Sequence, residues 1–205
     1  MKGFGDLSKS QKKKNKKSIF SKEKIINQAI QLHKQGNIRE ATKYYEQIIN
    51  QGYDNPTIFC NYGLILKDLG KSKDAERWIR KAIELNPDFA IAHSNLGGLL
   101  RNLGKLQDAE IHARKAIELN PDFTKAHLNL GNIMRDLDKF KKAELSYRKA
   151  IELNPDNIEA YINLGNLLRD LGKLEDARIC SEKIMSIRSW SIVGSFSFNR
   201  NMKLD

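Results

Sequence analysis

A repeat of 34 residues constrains this chain more than any other feature of its sequence. The string AIELNPD begins at Ala82, at Ala116 and again at Ala150. The interval divides residues 22–191 into five repeats. These are 22–55, 56–89, 90–123, 124–157 and 158–191. A fixed period of this length indicates one supersecondary unit that is built several times, with neighbouring copies stacked so that they bury their apolar faces.

Within each repeat the apolar residues follow helical spacing, which predicts two α-helices joined by a tight turn. In the third repeat, Leu96, Leu99 and Leu103 form one stripe, and Ala109 and Ala113 belong to a second. Such a pair of short helices cannot bury both stripes alone. We therefore expect an all-α fold in which the pairs stack.

The turn between the two helices carries its own signal. A glycine recurs there, at Gly36, Gly70, Gly104 and Gly172. Glycine ends helices because it takes positive φ without steric cost. Asp138 stands in this place in the fourth repeat, where a left-handed residue costs on the order of 1 kcal/mol. At the end of that repeat, Asp156 followed by Glu159 has capping-box spacing and predicts a helix start at Asp156.

Small residues recur where the two helices of a repeat must approach each other. In the first helix they are Ala29, Gly63, Gly97, Gly131 and Gly165. In the second helix they are Ala41, Ala75, Ala109, Ala143 and Ala177. A large side chain at either place would overpack the contact, at a cost of ~1–3 kcal/mol.

With this period, these small residues, the inter-helix glycine and a closing proline, the chain resembles the tetratricopeptide repeat family. The resemblance implies a right-handed α-solenoid of about five helix-turn-helix repeats whose concave face, lined by first helices, binds a protein or peptide partner. The sequence departs from the family at His93 and His127, where a large aromatic residue is common, and at Ser189, which replaces the closing proline. We expect the two histidines to be packing residues.

One polar column runs through the first helices of all five repeats. Its members are Asn27, Asn61, Asn95, Asn129 and Asn163, and Asn132 and Asn166 extend it. A side-chain amide has a donor and an acceptor, so it can pair with a peptide unit of an extended ligand. Helices ~8–10 Å apart would present one asparagine to roughly every third ligand residue, at about 3.3 Å per residue. The alternative is that asparagine only tolerates solvent in a duplicated repeat.

A second column is basic and consists of Lys67, Arg101, Arg135 and Arg169. These side chains could bind a carboxylate or phosphate of a peptide ligand, because arginine does so with two parallel hydrogen bonds. The alternative is a set of solvated ion pairs with the neighbouring aspartates, Asp68, Asp136 and Asp170. We favour the ion pairs, since the aspartates cancel most of the local field.

The formal net charge of +11 is concentrated near the N-terminus, where residues 1–24 hold nine lysines against two acidic residues. Residues 1–21 are predicted to be a flexible tail. It could attract nucleic acid or an anionic membrane, at about 1 kcal/mol per lysine. Phe4 alone offers an aromatic ring for base stacking among residues 1–17, so a solubilising role is favoured. Residues 192–205 are predicted to be an apolar, irregular C-terminal tail.

The sequence carries none of the short motifs that mark common catalytic sites, such as GxSxG, HExxH or a glycine-rich phosphate loop. It therefore predicts no enzyme activity, no cofactor and no metal site. Cys60 and Cys180 lie outside any CxxC pattern, which favours a reducing compartment, the cytoplasm.

The predicted function is that of a scaffold which binds extended polypeptide segments in its concave groove. The asparagine column also resembles that in the repeat arm of O-GlcNAc transferases. The alternative is therefore that the chain is the substrate-recruiting arm of a larger glycosyltransferase of that kind.

Overall fold

The structure is a computed structural model that describes residues 23–200, with side chains described up to residue 189. The predicted lysine-rich tail, 1–21, lies outside these residues. Within them every regular element is an α-helix, which confirms the all-α fold class. The helices are α1 (23–34), α2 (Ile38–Asn50), α3 (Pro56–Asp68), α4 (Ser72–Leu85), α5 (Ala90–Asn102), α6 (Leu106–Leu119), α7 (Thr124–Asp136), α8 (Phe140–Leu153), α9 (Ile158–Asp170) and α10 (Leu174–Arg200).

The chain divides into two compact bodies. The N-terminal body, Met1–Pro87, contains α1 to α4 and therefore the first two repeats. The C-terminal body, Asp88–Asp205, contains α5 to α10 and the other three repeats. In the C-terminal body each first helix packs against the second helix of its own repeat, and α6 and α8 also contact the first helix that follows. The paired stacking expected from the repeat is thus present within this body.

The turns between paired helices have the predicted backbone conformation. The four inter-helix glycines have φ between +73° and +76°. Asp138 takes the same left-handed conformation with φ of +57°. Its N–H donates to the Arg135 carbonyl at 3.0 Å, as the N–H of Gly104 does to Arg101 at 3.0 Å. The repeat therefore keeps its turn even where the glycine has been replaced.

The small residues lie at close contacts between paired helices, as predicted. A Cβ atom placed on Gly97 would lie 3.2 Å from both the Ala109 carbonyl oxygen and the Ala113 nitrogen. One placed on Gly131 would lie 2.4 Å from the Cε1 atom of Tyr147. The alanine column of the second helices is buried throughout. In the third and fourth repeats the first helix thus lies so close to the second that a larger side chain at the glycine would not fit.

The start of α9 differs from its prediction. Asn157, rather than Asp156, is the N-cap, and its Oδ1 accepts a hydrogen bond from the Ala160 N–H at 3.0 Å. The N–H of Asp156 instead donates to Asn154 Oδ1 at 3.2 Å. The helix therefore starts one residue later. In a capping box the Asp156 N–H would donate to Glu159, but here it donates to Asn154 within the turn that contains the proline.

The end of the chain differs as well. Helix α10 is 27 residues long and continues to Arg200, so residues 192–200 are helical where an irregular segment was predicted. Ser189 stands where three earlier repeats place a proline. Serine keeps the backbone N–H that proline lacks, so the helical hydrogen bonds continue past this point. In the part of the chain that is described, no helix is long and apolar enough to cross a membrane.

Candidate peptide-binding surface

The predicted site residues all lie on first helices. In the C-terminal body, α7 contacts both α5 and α9, so these three helices present one surface, which we call the first-helix surface. It carries three members of the asparagine column, Asn95, Asn129 and Asn163. In the N-terminal body, Asn27 is exposed on α1 and Asn61 is half-buried on α3.

Asn129 links two neighbouring repeats. Its Nδ2 donates to the backbone oxygen of Ser94 at 2.9 Å and to the Ser94 hydroxyl at 3.0 Å. The amide nitrogen is therefore engaged within the protein, and it ties α7 to α5. What Asn129 can offer to a ligand is its Oδ1 atom, as an acceptor.

Asn163 makes the corresponding link one repeat further on, with a different partner. Its Nδ2 donates to Asn132 Oδ1 at 3.2 Å, and the same oxygen accepts the Tyr147 hydroxyl at 2.8 Å. These two bonds do not use the second N–H or the Oδ1 atom of Asn163, and they do not use the Nδ2 group of Asn132. The pair therefore retains both a donor and an acceptor, which is the combination that a peptide unit requires.

Asn95 and Asn61 also form hydrogen bonds within the protein. Asn95 is only 6% exposed, and its Oδ1 accepts a hydrogen bond from Lys125 Nζ at 3.1 Å. In the N-terminal body a side-chain hydrogen bond joins Asn61 to the Tyr45 hydroxyl, and that hydroxyl lies 3.2 Å from His33 Nδ1. Burial raises the pKa of Tyr45, and the bond from Asn61 partly opposes that rise. Four of the five members of the asparagine column thus form hydrogen bonds between helices, a structural role that sequence spacing did not reveal.

Most of the basic column forms ion pairs with the aspartates beside it. Arg101 reaches across to the next repeat, with its Nε 2.6 Å from Asp136 Oδ2. Arg135 lies 3.8 Å from the same carboxylate. Lys67 pairs with Asp68 at 3.3 Å. In these three contacts a member of the basic column pairs with a neighbouring aspartate, which is the arrangement predicted from the sequence in preference to ligand binding.

Arg169 differs from the other members of the basic column. Its NH1 donates to Asn166 Oδ1 at 3.4 Å, and it forms no ion pair with a carboxylate in the described range. Arg169 and Asn166 lie on the same helix as Asn163. The α9 end of the first-helix surface therefore combines a cation with amide groups.

The histidines are packing residues, as expected. His127 is buried, and its Nε2 lies 2.8 Å from the Pro121 carbonyl oxygen. His93 is also buried, with its Nδ1 3.0 Å from His112 Nδ1. Among the described residues, no group of three or more His, Cys, Asp or Glu side chains is placed to hold a metal ion. Neither cysteine forms a disulfide, both are buried, and burial raises the pKa of the Cys180 thiol.

Sequence reasoning missed a groove at the start of α8. The groove has a volume of about 550 Å³, and the residues lining it include Phe140, Lys141, Lys142 and Leu171. A signal was present in the repeat alignment, because four repeats have an acidic residue at the place of Lys142. We call this feature the α8 groove.

Comparison with protein families gives several matches along the chain. A family model described as tetratricopeptide repeat matches residues 26–88 and 63–122, and another with the same description matches 158–189. A model described as TPR repeat matches residues 131–172. Among curated protein sequences, none matches.

Solved structures with the same fold include several repeat proteins. A crystal structure of MamA is 22% identical, covers 80% of this chain and 96% of its own, and has a TM-score of 0.68. The PilF structure from Pseudomonas aeruginosa is 18% identical, covers 80% of this chain and 75% of its own, and has a TM-score of 0.73. A thermophilic TPR protein of Thermus thermophilus is 19% identical and has a TM-score of 0.67, and the match covers 85% of this chain and 99% of that protein's chain. At these identities the likeness shows the fold alone, and it confirms the predicted α-solenoid class.

Proposed function

Because the chain belongs to the tetratricopeptide repeat family, we propose that it is a protein-interaction scaffold. It binds extended polypeptide segments on the first-helix surface and has no catalytic activity of its own. The observation that carries this proposal is the asparagine column, which recurs in every repeat and lies on first helices throughout.

The contacts of the column suggest how the binding energy is distributed. Asn163 and Asn132 together keep a free donor and a free acceptor after their mutual hydrogen bond is counted. Asn129 supplies an acceptor only, and Asn95 is nearly inaccessible. We therefore assign the main peptide-backbone contact to α9 and its neighbour α7.

The basic column contributes through Arg169. Since Arg101 and Arg135 already share the Asp136 carboxylate, they have little charge to offer a ligand. Arg169 has no carboxylate partner in the described part of the chain and is exposed. It would pair with a carboxylate of the ligand, either a side chain or a chain terminus.

The test begins with random-sequence peptides displayed on phage and selected on the immobilised full chain. The selected peptide is then labelled, and its affinity is measured by fluorescence anisotropy for the parent and for Asn163→Ala. We expect a loss of about tenfold, the effect of removing hydrogen bonds that a ligand cannot replace. Asn50→Ala, at the exposed end of a second helix, is the matched control and should bind as the parent does.

Circular dichroism of each variant separates loss of binding from loss of folding. If Asn163→Ala remains folded and binds as tightly as the parent, the surface assignment is wrong. Selection of peptides whose binding is abolished by Asn50→Ala would likewise place the site on another face.

The alternative function is that of a substrate-recruiting arm in a larger O-GlcNAc transferase-like glycosyltransferase. It is supported by the same asparagine column, which resembles that of the transferase arm. Sequencing the transcript downstream of the codon for Asp205 distinguishes the two functions. An in-frame transferase-like remnant supports the alternative, and unrelated sequence opposes it.

A further inference from the structure

The fourth repeat reverses a charge that the other repeats share. In those four, the first turn of the second helix carries an acidic residue, Glu40, Asp74, Asp108 or Asp176. Such a residue stabilises the positive end of the helix dipole. The fourth repeat has Lys142 at this place and Lys141 before it, and the first turn of α8 contains no acidic residue. Both lysines oppose the dipole, so the stability of α8 alone does not account for them.

The surrounding lysines differ in how much of their charge is already used. Lys139 Nζ lies 2.9 Å from Glu110 Oε2, and Lys173 Nζ lies 2.9 Å from Glu144 Oε2. By contrast, Lys141 and Lys142 are exposed and form no ion pair with any described residue. These two cations are therefore available to an external group.

The acidic side chains that line the α8 groove do not neutralise the positive charge of Lys141 and Lys142. Glu144 lies between Lys173 and Arg148, at 2.9 Å and 2.7 Å. The hydrogen bond from Lys173 is the largest factor that lowers the pKa of Glu144, so its carboxylate is charged and doubly paired. Asp138, in the turn before α8, is the remaining carboxylate in the lining. The lining therefore contains one further carboxylate and two lysines that form no ion pair with a described residue.

The groove also has an apolar part. Phe140 and Leu171 line it, and each is 38% exposed. A volume of about 550 Å³ is large enough for one or two side chains of a partner. Positive charge next to exposed apolar surface favours a ligand that carries carboxylates beside an aliphatic or aromatic side chain.

We propose that the α8 groove binds an acidic segment of a partner protein. Carboxylates of that segment pair with Lys141 and Lys142, and an apolar side chain packs against Phe140 and Leu171. The groove lies at the start of a second helix and uses none of the residues assigned to the first-helix surface. It is therefore a second binding site, and a failure of the proposed function on the first-helix surface would not contradict it.

The test uses a short fluorescein-labelled peptide of alternating glutamate and leucine, and the same peptide with glutamine in place of glutamate. The key variant is Lys141→Gln with Lys142→Asp, which copies the Gln107–Asp108 pair in the first turn of α6. Because the copied pair restores the acidic first turn, this variant is expected to fold at least as well as the parent. Its control is Lys34→Gln with Lys73→Asp, an equal charge change in the N-terminal body.

We expect the key variant to lose about tenfold in affinity for the acidic peptide, and the control to lose less than about twofold. The parent should bind the glutamine peptide much more weakly than the glutamate peptide. The full chain is used throughout, so the lysine-rich segment 1–21 contributes equally to every measurement.

Several results would overturn the proposal. One is equal binding of the acidic peptide by the parent and the key variant; another is equal binding of the two peptides by the parent. The third result comes from binding assays with two other anionic partners. These are vesicles of phosphatidylserine with phosphatidylcholine, and single-stranded oligothymidylate. If either binds through Lys141 and Lys142 more tightly than the acidic peptide does, the groove is a membrane or nucleic-acid site instead.

Discussion

Two glycines in neighbouring first helices provide a sharp test of the close contact within repeats. Each is replaced by alanine, so the change in covalent structure is the same. In a helix interior this replacement alone stabilises by up to about 1 kcal/mol. The two variants then differ only in what the added methyl group meets.

At Gly131 the new Cβ would lie 2.4 Å and 2.6 Å from ring carbons of Tyr147. That ring is fully buried, and its hydroxyl is held by Asn132 at 2.8 Å, so it cannot move aside freely. Overpacking of this kind costs ~1–3 kcal/mol. After the gain in helix propensity is subtracted, Gly131→Ala should be destabilised by up to about 2 kcal/mol.

At Gly98 the nearest atom to a new Cβ is Asn129 Nδ2 at 3.5 Å, an ordinary contact. Gly98→Ala should therefore gain stability, by up to about 1 kcal/mol. Urea unfolding, followed by far-UV circular dichroism, measures both variants, and equal slopes confirm that the same surface is exposed. If Gly131→Ala proves as stable as Gly98→Ala, the two helices of the fourth repeat do not approach as closely as the structure has them.

Two further predictions concern polar groups. Asn129→Ala removes both hydrogen bonds to Ser94 and should cost ~1–3 kcal/mol in urea unfolding, because each lost hydrogen bond contributes about 0.5–1.5 kcal/mol. An unchanged midpoint would contradict the link between α5 and α7. Burial lowers the pKa of His33 below 6.5, and the nearby Asp68 opposes that shift only in part. As the pH falls, the unfolded chain therefore takes up a proton at His33 before the folded chain does. This uptake favours the unfolded state, so stability is lost between the unfolded pKa and the lower folded pKa of His33. Thermal melts at neutral and mildly acidic pH should show a smaller loss for His33→Gln than for the parent, and an equal loss would refute this contribution.

The repeat made the helices predictable because each of its signals acts locally. The inter-helix glycines require positive φ, and even Asp138 follows them, with φ of +57°. The boundaries were less predictable, because two adjacent residues competed to cap α9. The spacing favoured Asp156, but the turn engages its N–H, and Asn157 caps the helix instead.

The candidate site was predictable in position but not in contacts. Helical periodicity places Asn129 and Asn163 on first helices, and that placement is what the structure shows. Periodicity does not show that Ser94 and Asn132 would take their amide hydrogens, because these partners come from the preceding repeat. The α8 groove was missed for a related reason: a charge reversal at Lys142 is visible in sequence, but the cavity beside it is not.

The claim on which the proposed function depends is that the asparagine side chains of the first-helix surface contact the bound polypeptide. Heteronuclear NMR of the side-chain amide groups, titrated with the phage-selected peptide, measures this directly. The predicted result is that the amide resonances of Asn163 and Asn132 shift while that of Asn50 does not. Saturating binding that leaves Asn163 and Asn132 unchanged would contradict the account.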